Sequence, residues 1–418
     1  MLPTNERRMT KISQVFLSTL ALLLSGTGLF LSAWIVLPAP TMLLLALAVG
    51  APEVCPWLLG LNAIALLLAW LWIYQRRLKS LACIVSSIGL LICGLELATI
   101  PQTQMQMANA IALGLGVNYL EKIPVEIRAK MRSPLAQAVP GLSHPFSLTD
   151  SFLGIHRDET RHHTGIRFAN PNGVPLSMEV YQPLKVGKYP ALVVIYGGAW
   201  QRGSPSANAE FNQYMASRGY TVFAIDYRHA PQHRFPAQLE DVRAALNFIR
   251  THAVEYEADV ERMVLFGRSS GAHLAMLAAY QPDAPPLRAV ISYYGPVNLA
   301  EGYKDPPSPD PINVRQVLET FLGGSLQELP QQYKIASPVH YVTRPLPPTL
   351  LVYGDRDHIV EAKFGRRMYQ RLLTSKTTTV FLEIPWAEHA FDAVFNGVNN
   401  QLALYYTERF LAWAFFNQ

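Results

Sequence analysis

Apolar residues run almost unbroken from Ile12 to Ile100; beyond about Pro101 they come in short clusters between helical periods. Only Glu53, Arg76, Arg77, Lys79 and Glu96 carry charge in the first stretch. That stretch holds three segments near the length of about 20 apolar residues that crosses a bilayer: residues 12–37, 57–74 and 81–100. The segment Thr41–Ala51 is apolar but short, and Pro52 and Pro56 follow it. It lies at the interface, extends the second span, or forms half of a re-entrant hairpin, so four spans is the alternative to three.

Residues 101–150 carry Met105, Met107, Ile111, Leu113 and Leu115 and then several prolines. This pattern predicts an amphipathic, membrane-skimming segment followed by a linker. From residue 151 to 418 the pattern alternates. Apolar runs at Ala191–Tyr196, Thr221–Ile225, Met263–Phe266, Ala289–Tyr294, Thr349–Tyr353 and Thr379–Ile384 predict buried strands. Helical periods lie between them, at Asn208–Ser217, Pro236–His252, Ala272–Tyr280 and Glu361–Leu373, and Asn399–Phe416 closes the chain. Strand–helix alternation predicts an α/β domain with a mainly parallel sheet and helices on both faces. Met178–Tyr181 adds an early antiparallel strand. An insertion at about 298–345 contains Asp305–Pro311, whose prolines make it an exposed loop, and insertions at this place commonly cap a site.

Composition sharpens the division. Half of the chain is hydrophobic and only 16% is charged, and the apolar excess sits in residues 1–100. The net charge of +5 is spread without a long basic run, which argues against nucleic-acid binding. Arg7, Arg8 and Lys11 precede the first span, and Arg76, Arg77 and Lys79 fill the loop between the second and third. The loop between the first two spans has no Lys or Arg. The positive-inside rule then places both basic segments in the cytoplasm and everything after Ile100 on the opposite side. The first apolar run is too long for a cleaved signal. Glu96 lies one turn from Pro101 and is expected to reach the interface. The three cysteines, Cys55, Cys83 and Cys93, all lie in the apolar region and read as small membrane residues.

Chemistry enters at Gly267-Arg268-Ser269-Ser270-Gly271. An apolar run precedes it and a helix-forming run follows. Strand, tight turn and helix make a nucleophile elbow with Ser269 at its tip. Gly267 and Gly271 leave room where a Cβ would crowd the turn. A serine hydroxyl needs a base, an acid that orients the base, and donors for the oxyanion. In this arrangement the chain order is Ser, then Asp or Glu, then His. Asp357 is the favoured acid, at the carboxyl end of the run ending at Tyr353, where active sites of open α/β sheets collect. Asp355 reads as a turn aspartate. His389 is the base, on the loop between the last apolar run and the final helix. His358 is expected to be solvated and His273 to be packed in the helix after the elbow. The oxyanion donors are the backbone N–H groups of Gly198, Ala199 and Ser270. No metal-ligand spacing occurs, and no cofactor is expected.

Several segments agree with one family. Tyr196-Gly197-Gly198-Ala199-Trp200 resembles the His-Gly-Gly-x-Trp oxyanion motif of the hormone-sensitive-lipase-like and feruloyl/acetyl-esterase-like carboxylesterases of the α/β-hydrolase superfamily. The segment from Asp226 to Ala237 resembles their Asp-Tyr-Arg-x-Ala-Pro-Glu-His-x-Phe-Pro-Ala, and Tyr293–Pro296 and Ala336–Pro338 also fit. The resemblance covers about residues 160–417. It implies an ester substrate, and membrane anchoring suggests a lipidic one. It also implies structural roles for Asp226, Arg228, Gly197 and Trp200. Tyr196 departs from the motif's His: either its hydroxyl braces the loop, or the loop is held differently. Arg268 beside the nucleophile is expected in a surface ion pair, with attraction of an anionic substrate as the other reading. An acyltransferase, an amidase or formamidase, and a non-catalytic binding protein on the same scaffold remain alternatives. Oligomeric state is not legible.

Overall fold

The computed structural model describes residues 4–131 and 145–416, with side chains from residue 13 onward. Residues 132–144 of the expected linker lie outside the described residues. Four helices open the chain: α1 (Thr4–Ala33), α2 (Met42–Glu53), α3 (Cys55–Trp72) and α4 (Arg76–Leu115). Among the described residues, three helices are long and apolar enough to cross a membrane, over Ser13–Ala33, Cys55–Trp72 and Arg76–Leu115. They pack on one another. Polar side chains join them internally: Asn62 Nδ2 donates to Ser32 Oγ (2.9 Å), and Ser86 Oγ donates to Ser25 Oγ (2.9 Å). Such bonds are a common glue where no water competes.

α2 is a separate helix of 12 residues, too short to span. Its Leu45 and Ala48 are buried against Ile312 and Ile359 of the globular part. α4 departs from expectation, because it does not give way at Pro101 to a skimming segment. It continues as one helix of 40 residues. Ile100, Thr103, Met107, Ile111 and Leu115 form one buried face across the proline. Packing of that face outweighs the backbone hydrogen bond the proline removes. Glu96 belongs to the same face. It is 1% exposed, buried among the packed helices.

Two short helices follow, α5 (Val125–Arg128) and α6 (Leu148–Leu153). The α/β part then runs β1 (Thr160–Ala169), β2 (Leu176–Pro183), β3 (Tyr189–Ile195), α7 (Ala209–Ser217), β4 (Thr221–Ile225), α8 (Ala237–Thr251), β5 (Ala258–Arg268), α9 (Ser270–Tyr280) and β6 (Ala289–Tyr293). The insertion carries α10 (Leu299–Lys304), α11 (Val314–Leu322) and α12 (Pro330–Ile335). The chain then forms β7 (Thr349–Gly354), α13 (Ala362–Thr374), β8 (Thr379–Ile384) and α14 (Val398–Phe416). The eight strands form one sheet in the order β1-β2-β4-β3-β5-β6-β7-β8. β1 and β2 pair antiparallel, β2 pairs antiparallel with β4, and the rest is parallel. Every residue of β4 and β6 is buried, so both faces of the sheet are covered. β1 was not among the expected strands. Its burial does not alternate, and it is held by pairing with β2.

The N-terminal apolar helices and the rest of the chain are fastened by polar contacts across long sequence separations. Trp386 Nε1 donates to Thr99 Oγ1 (2.8 Å), Tyr406 Oη to the Gln104 carbonyl (2.8 Å), and Trp57 Nε1 to the Ser151 carbonyl (3.1 Å). Glu53, at the end of α2, caps α14. Its carboxylate accepts from the backbone N–H groups of Asn399 (3.0 Å) and Asn400 (3.2 Å) and from Asn399 Nδ2 (2.8 Å). A helix N-terminus leaves such N–H groups unpaired and favours negative charge. Glu53→Ala strands three buried donors, and stability should fall by about 2–3 kcal/mol. Thermal denaturation measures the loss, and faster amide exchange at Asn399 and Asn400 locates it. Unchanged exchange there would show that the cap contributes nothing.

Candidate active site

β5 delivers Ser269 into a turn that only a few residues can make. Ser269 has φ 51° and ψ −121°, a sparsely populated conformation for a residue with a Cβ. A Cβ on Gly267 would lie 2.3 Å from the Gly271 carbonyl oxygen, and one on Gly271 would lie 2.2 Å from the Ile195 carbonyl oxygen. Both glycines are therefore required for the approach of β5, α9 and β3. Ser270 opens α9, so its N–H has no partner within the helix.

Three side chains from distant parts of the sequence meet at this turn. Ser269 Oγ is 2.9 Å from His389 Nε2, and His389 Nδ1 is 2.8 Å from Asp357 Oδ2. Asp357 Oδ1 accepts from the backbone N–H groups of Ile359 (2.8 Å) and Val360 (2.7 Å). The carboxylate therefore has one oxygen fixed by backbone and the other left for the imidazole. Both Asp357 and His389 are buried. Asp355 instead makes an exposed pair with Arg366 (2.7 Å), as a turn aspartate should.

The loop after β3 lies across from Ser269. Ala199 and Trp200 both have positive φ, 55° and 60°. Gly198 and Ala199 line a cleft shared with Ser269, and Ala199 and Ser270 line the cavity beside it. Among the described residues, none of the N–H groups of Gly198, Ala199 and Ser270 is taken up by another acceptor. Tyr196 Oη donates to Asp226 Oδ1 (2.5 Å) and lies 2.8 Å from His229 Nε2. Burial, with Tyr227 and Asp226 adding to it, pushes this phenol up, so it stays a donor. Gly197 follows directly and packs over the Arg268 carbonyl. Trp200 Nε1 donates to His273 Nδ1 (3.2 Å), and His273 Nε2 faces the Ala336 carbonyl (2.6 Å). Burial pulls His273 down to about 4, so it is a neutral packing residue. Arg228 is held by Asp241 through Nε (2.9 Å) and through its backbone N–H (2.8 Å).

Two expectations are corrected here. Arg268 is not on the surface: it is 4% exposed, paired with Asp392, and its guanidinium stacks over Phe211 and Phe266. Burial of a charge demands a buried partner, and Asp392, with Tyr294 also donating to it, is that partner. His358 is not freely solvated. Its Nδ1 is 2.5 Å from Glu388 Oε2, and its backbone N–H donates to Glu388 Oε1 (2.6 Å). Glu388 also accepts from the His389 N–H (2.9 Å), tying the acid loop to the base loop. Neither Glu388 nor Asp392 was singled out from sequence. An arginine beside a buried nucleophile was the one available signal for Asp392.

Two cavities open on Ser269. The narrower, of about 60 Å³, is walled by Trp200, Val297, Leu318, Val360 and Phe364 and does not include His389. The wider, of about 300 Å³, includes His389, Tyr294 and Arg202 on one side and Met42, Leu45 and Val49 of α2 on the other.

Residues 178–372 match the BD-FAE family model. The chain is 30% identical over 218 residues to Esterase LipC of Mycobacterium tuberculosis, covering 49% of this chain and 53% of that protein. It is 30% identical over 221 residues to the probable carboxylic ester hydrolase LipM of the same organism, covering 49% and 50%. The chain thus spans about half the length of these curated relatives. Among solved structures it is similar to a hyperthermophilic esterase from Pyrobaculum calidifontis, with a TM-score of 0.53, 21% identity, and 62% of this chain and 86% of that chain covered. It is also similar to Thermogutta terrifontis esterase 2 phosphonylated by sarin, with a TM-score of 0.50, 24% identity and coverage of 60% and 92%. These structural likenesses are of fold. The sheet order, the strand–turn–helix at Ser269 and the structural likeness all point one way: the chain has an α/β-hydrolase fold, within which residues 178–372 match the BD-FAE model.

Proposed function

We propose that the chain is a membrane-anchored serine hydrolase that cleaves a carboxylic ester through an acyl-enzyme. The observation that carries this reading is the hydrogen-bonded series Ser269–His389–Asp357 opening on a largely apolar cleft. Ser269 Oγ attacks the ester carbonyl carbon while His389 Nε2 takes its proton. Asp357 holds the imidazole with Nε2 free to accept and stabilises the imidazolium. The N–H groups of Gly198, Ala199 and Ser270 receive the oxyanion, each worth about 2.7–4 kcal/mol of transition-state stabilisation. Collapse expels the alkoxide, which takes the proton from His389. Water, deprotonated by the same base, then releases the acid.

The packing of the helices supports one orientation in a membrane. Ser18 Oγ donates to the Trp72 carbonyl (2.7 Å), so the early part of α1 lies beside the end of α3. The basic segments in the first turns of α1 and at the start of α4 therefore share the end away from the α/β part. The positive-inside rule supports a hydrolase held outside the cytoplasm.

A fluorophosphonate probe tests the reaction. The full chain in detergent should add one probe, with the mass increment on the peptide containing Ser269. A folded protein that stays unlabelled, or is labelled elsewhere, defeats the proposal. Protease added to intact cells should remove the α/β part; its protection would reverse the orientation.

A further inference from the structure

The wider cleft has a wall that the hydrolase fold does not provide. α2 presents Met42, Leu45 and Val49 to it, at a spacing that puts them along one helix face. The helix sits between two spans. α1 ends at Ala33, nine residues before α2 begins, and α3 begins at Cys55, two residues after it ends. α2 is therefore held at the membrane surface. Its other side is apolar and open: Leu43 is 83% exposed, and Leu37 in the preceding loop is 51% exposed. No charged side chain occurs on α2 before Glu53. An exposed apolar face continuous with two membrane spans meets lipid.

The two cavities also differ in what they can hold. His389 must hand its proton to the leaving oxygen, so the alcohol of the ester lies on the His389 side. That is the wider cleft, the one α2 lines. The acyl group lies on the other side, in the cavity of about 60 Å³. On the same measure the wider cleft has about 300 Å³, so the acyl side is the tighter one and favours the shorter part of the ester.

We infer that α2 is the alcohol-side wall of the site and that the substrates are short-acyl esters of alcohols embedded in the bilayer. This rests on the serine-hydrolase reading and names its substrate class. The ester bond is exchanged for a bond between the acyl carbon and Ser269 Oγ. The serine proton goes through His389 to the alkoxide, and the alcohol stays in the membrane. Water then cleaves the acyl-enzyme to the short acid, which leaves for the aqueous side.

The test uses the full chain reconstituted in phosphatidylcholine vesicles. The probes are 1,2-dioleoyl-3-acetylglycerol in the bilayer and p-nitrophenyl acetate in water. At fixed bulk concentration and below saturation, diluting the acetylglycerol about 10-fold with phosphatidylcholine should lower its rate about 10-fold, because the enzyme samples the bilayer plane. Turnover of p-nitrophenyl acetate should not follow the dilution. Replacing acetyl by oleoyl should lower kcat/KM by about 10-fold or more, because the acyl cavity is the tighter of the two. The double variant Met42→Asn, Val49→Asn should lose about 10-fold more kcat/KM on the acetylglycerol than on p-nitrophenyl acetate. If this variant does not fold, the dilution series on the wild type decides alone. Cleavage of p-nitrophenyl acetate with the acetylglycerol left intact, or equal losses on both esters, would overturn the inference and leave the hydrolase standing. Cleavage of neither ester, with no fluorophosphonate labelling, would remove the hydrolase reading itself.

Discussion

Ser269→Ala should lower kcat on p-nitrophenyl acetate by about 10⁴–10⁶-fold, with no comparable change in KM. The substitution removes one oxygen from a turn whose backbone is fixed by other contacts. The Ser269 N–H donates to the Tyr293 carbonyl (3.0 Å), and its carbonyl accepts from the His273 N–H (3.0 Å). Alanine has the same Cβ and no more difficulty at φ 51° than serine has, so the fold should persist. A melting temperature within a few degrees of the wild type, together with the kinetic loss, separates chemistry from unfolding. Residual turnover above about one part in a hundred would mean that another nucleophile does the work.

Asp357→Asn should lower kcat by about 10⁴-fold, a magnitude known from the equivalent change in a serine protease. The reason lies in the two N–H groups of Ile359 and Val360 that point at Oδ1. They can donate only to an oxygen there. The asparagine NH₂ must then face His389 Nδ1 and donate to it. That forces the proton onto Nε2, where it points at Ser269 and can no longer receive the serine proton. Asp355→Asn is the control. Asp355 sits in the same turn but pairs with exposed Arg366, and its loss should change kcat by less than about 2-fold. Equal losses in the two variants would show that the turn as a whole, rather than the carboxylate at 357, matters.

Much of this arrangement was legible because it is written in local terms. β3, β4, β5, β6, β7 and β8 each carry an apolar run, and the residues at 197–199, 269, 357 and 389 each follow such a run. A parallel sheet brings those positions to one edge without further information. What stayed hidden depends on partners far away in sequence. Asp392 lies 124 residues from Arg268, and nothing in its own neighbourhood marks it as a counter-ion. Glu53 reads as a charge between two apolar segments, while its three donors come from residues 399 and 400. α4 was misjudged for a different reason. Pro101 and the prolines after residue 115 invited a break, whereas the spacing of Ile100, Thr103, Met107 and Ile111 continues one helix face. The proline rule is a local preference, and a long packed face overrides it. β1 had no apolar alternation to announce it, because pairing rather than burial holds it.

The unbroken α4 also bears on how the hydrolase exists at all. Its last turns lie on β8, the end strand of the sheet, closely enough that a Cβ on Gly114 would sit 2.6 Å from the Thr379 carbonyl oxygen. Met107, Ile111 and Leu115 are buried there. A chain trimmed to its α/β part for expression would uncover that strand and the apolar ground beside it, the kind of margin on which sheets join edge to edge. A helix long and apolar enough to cross a membrane thus also guards the sheet against self-association. A shortened version would need a replacement for residues 101–115 and not merely the removal of the apolar helices before them.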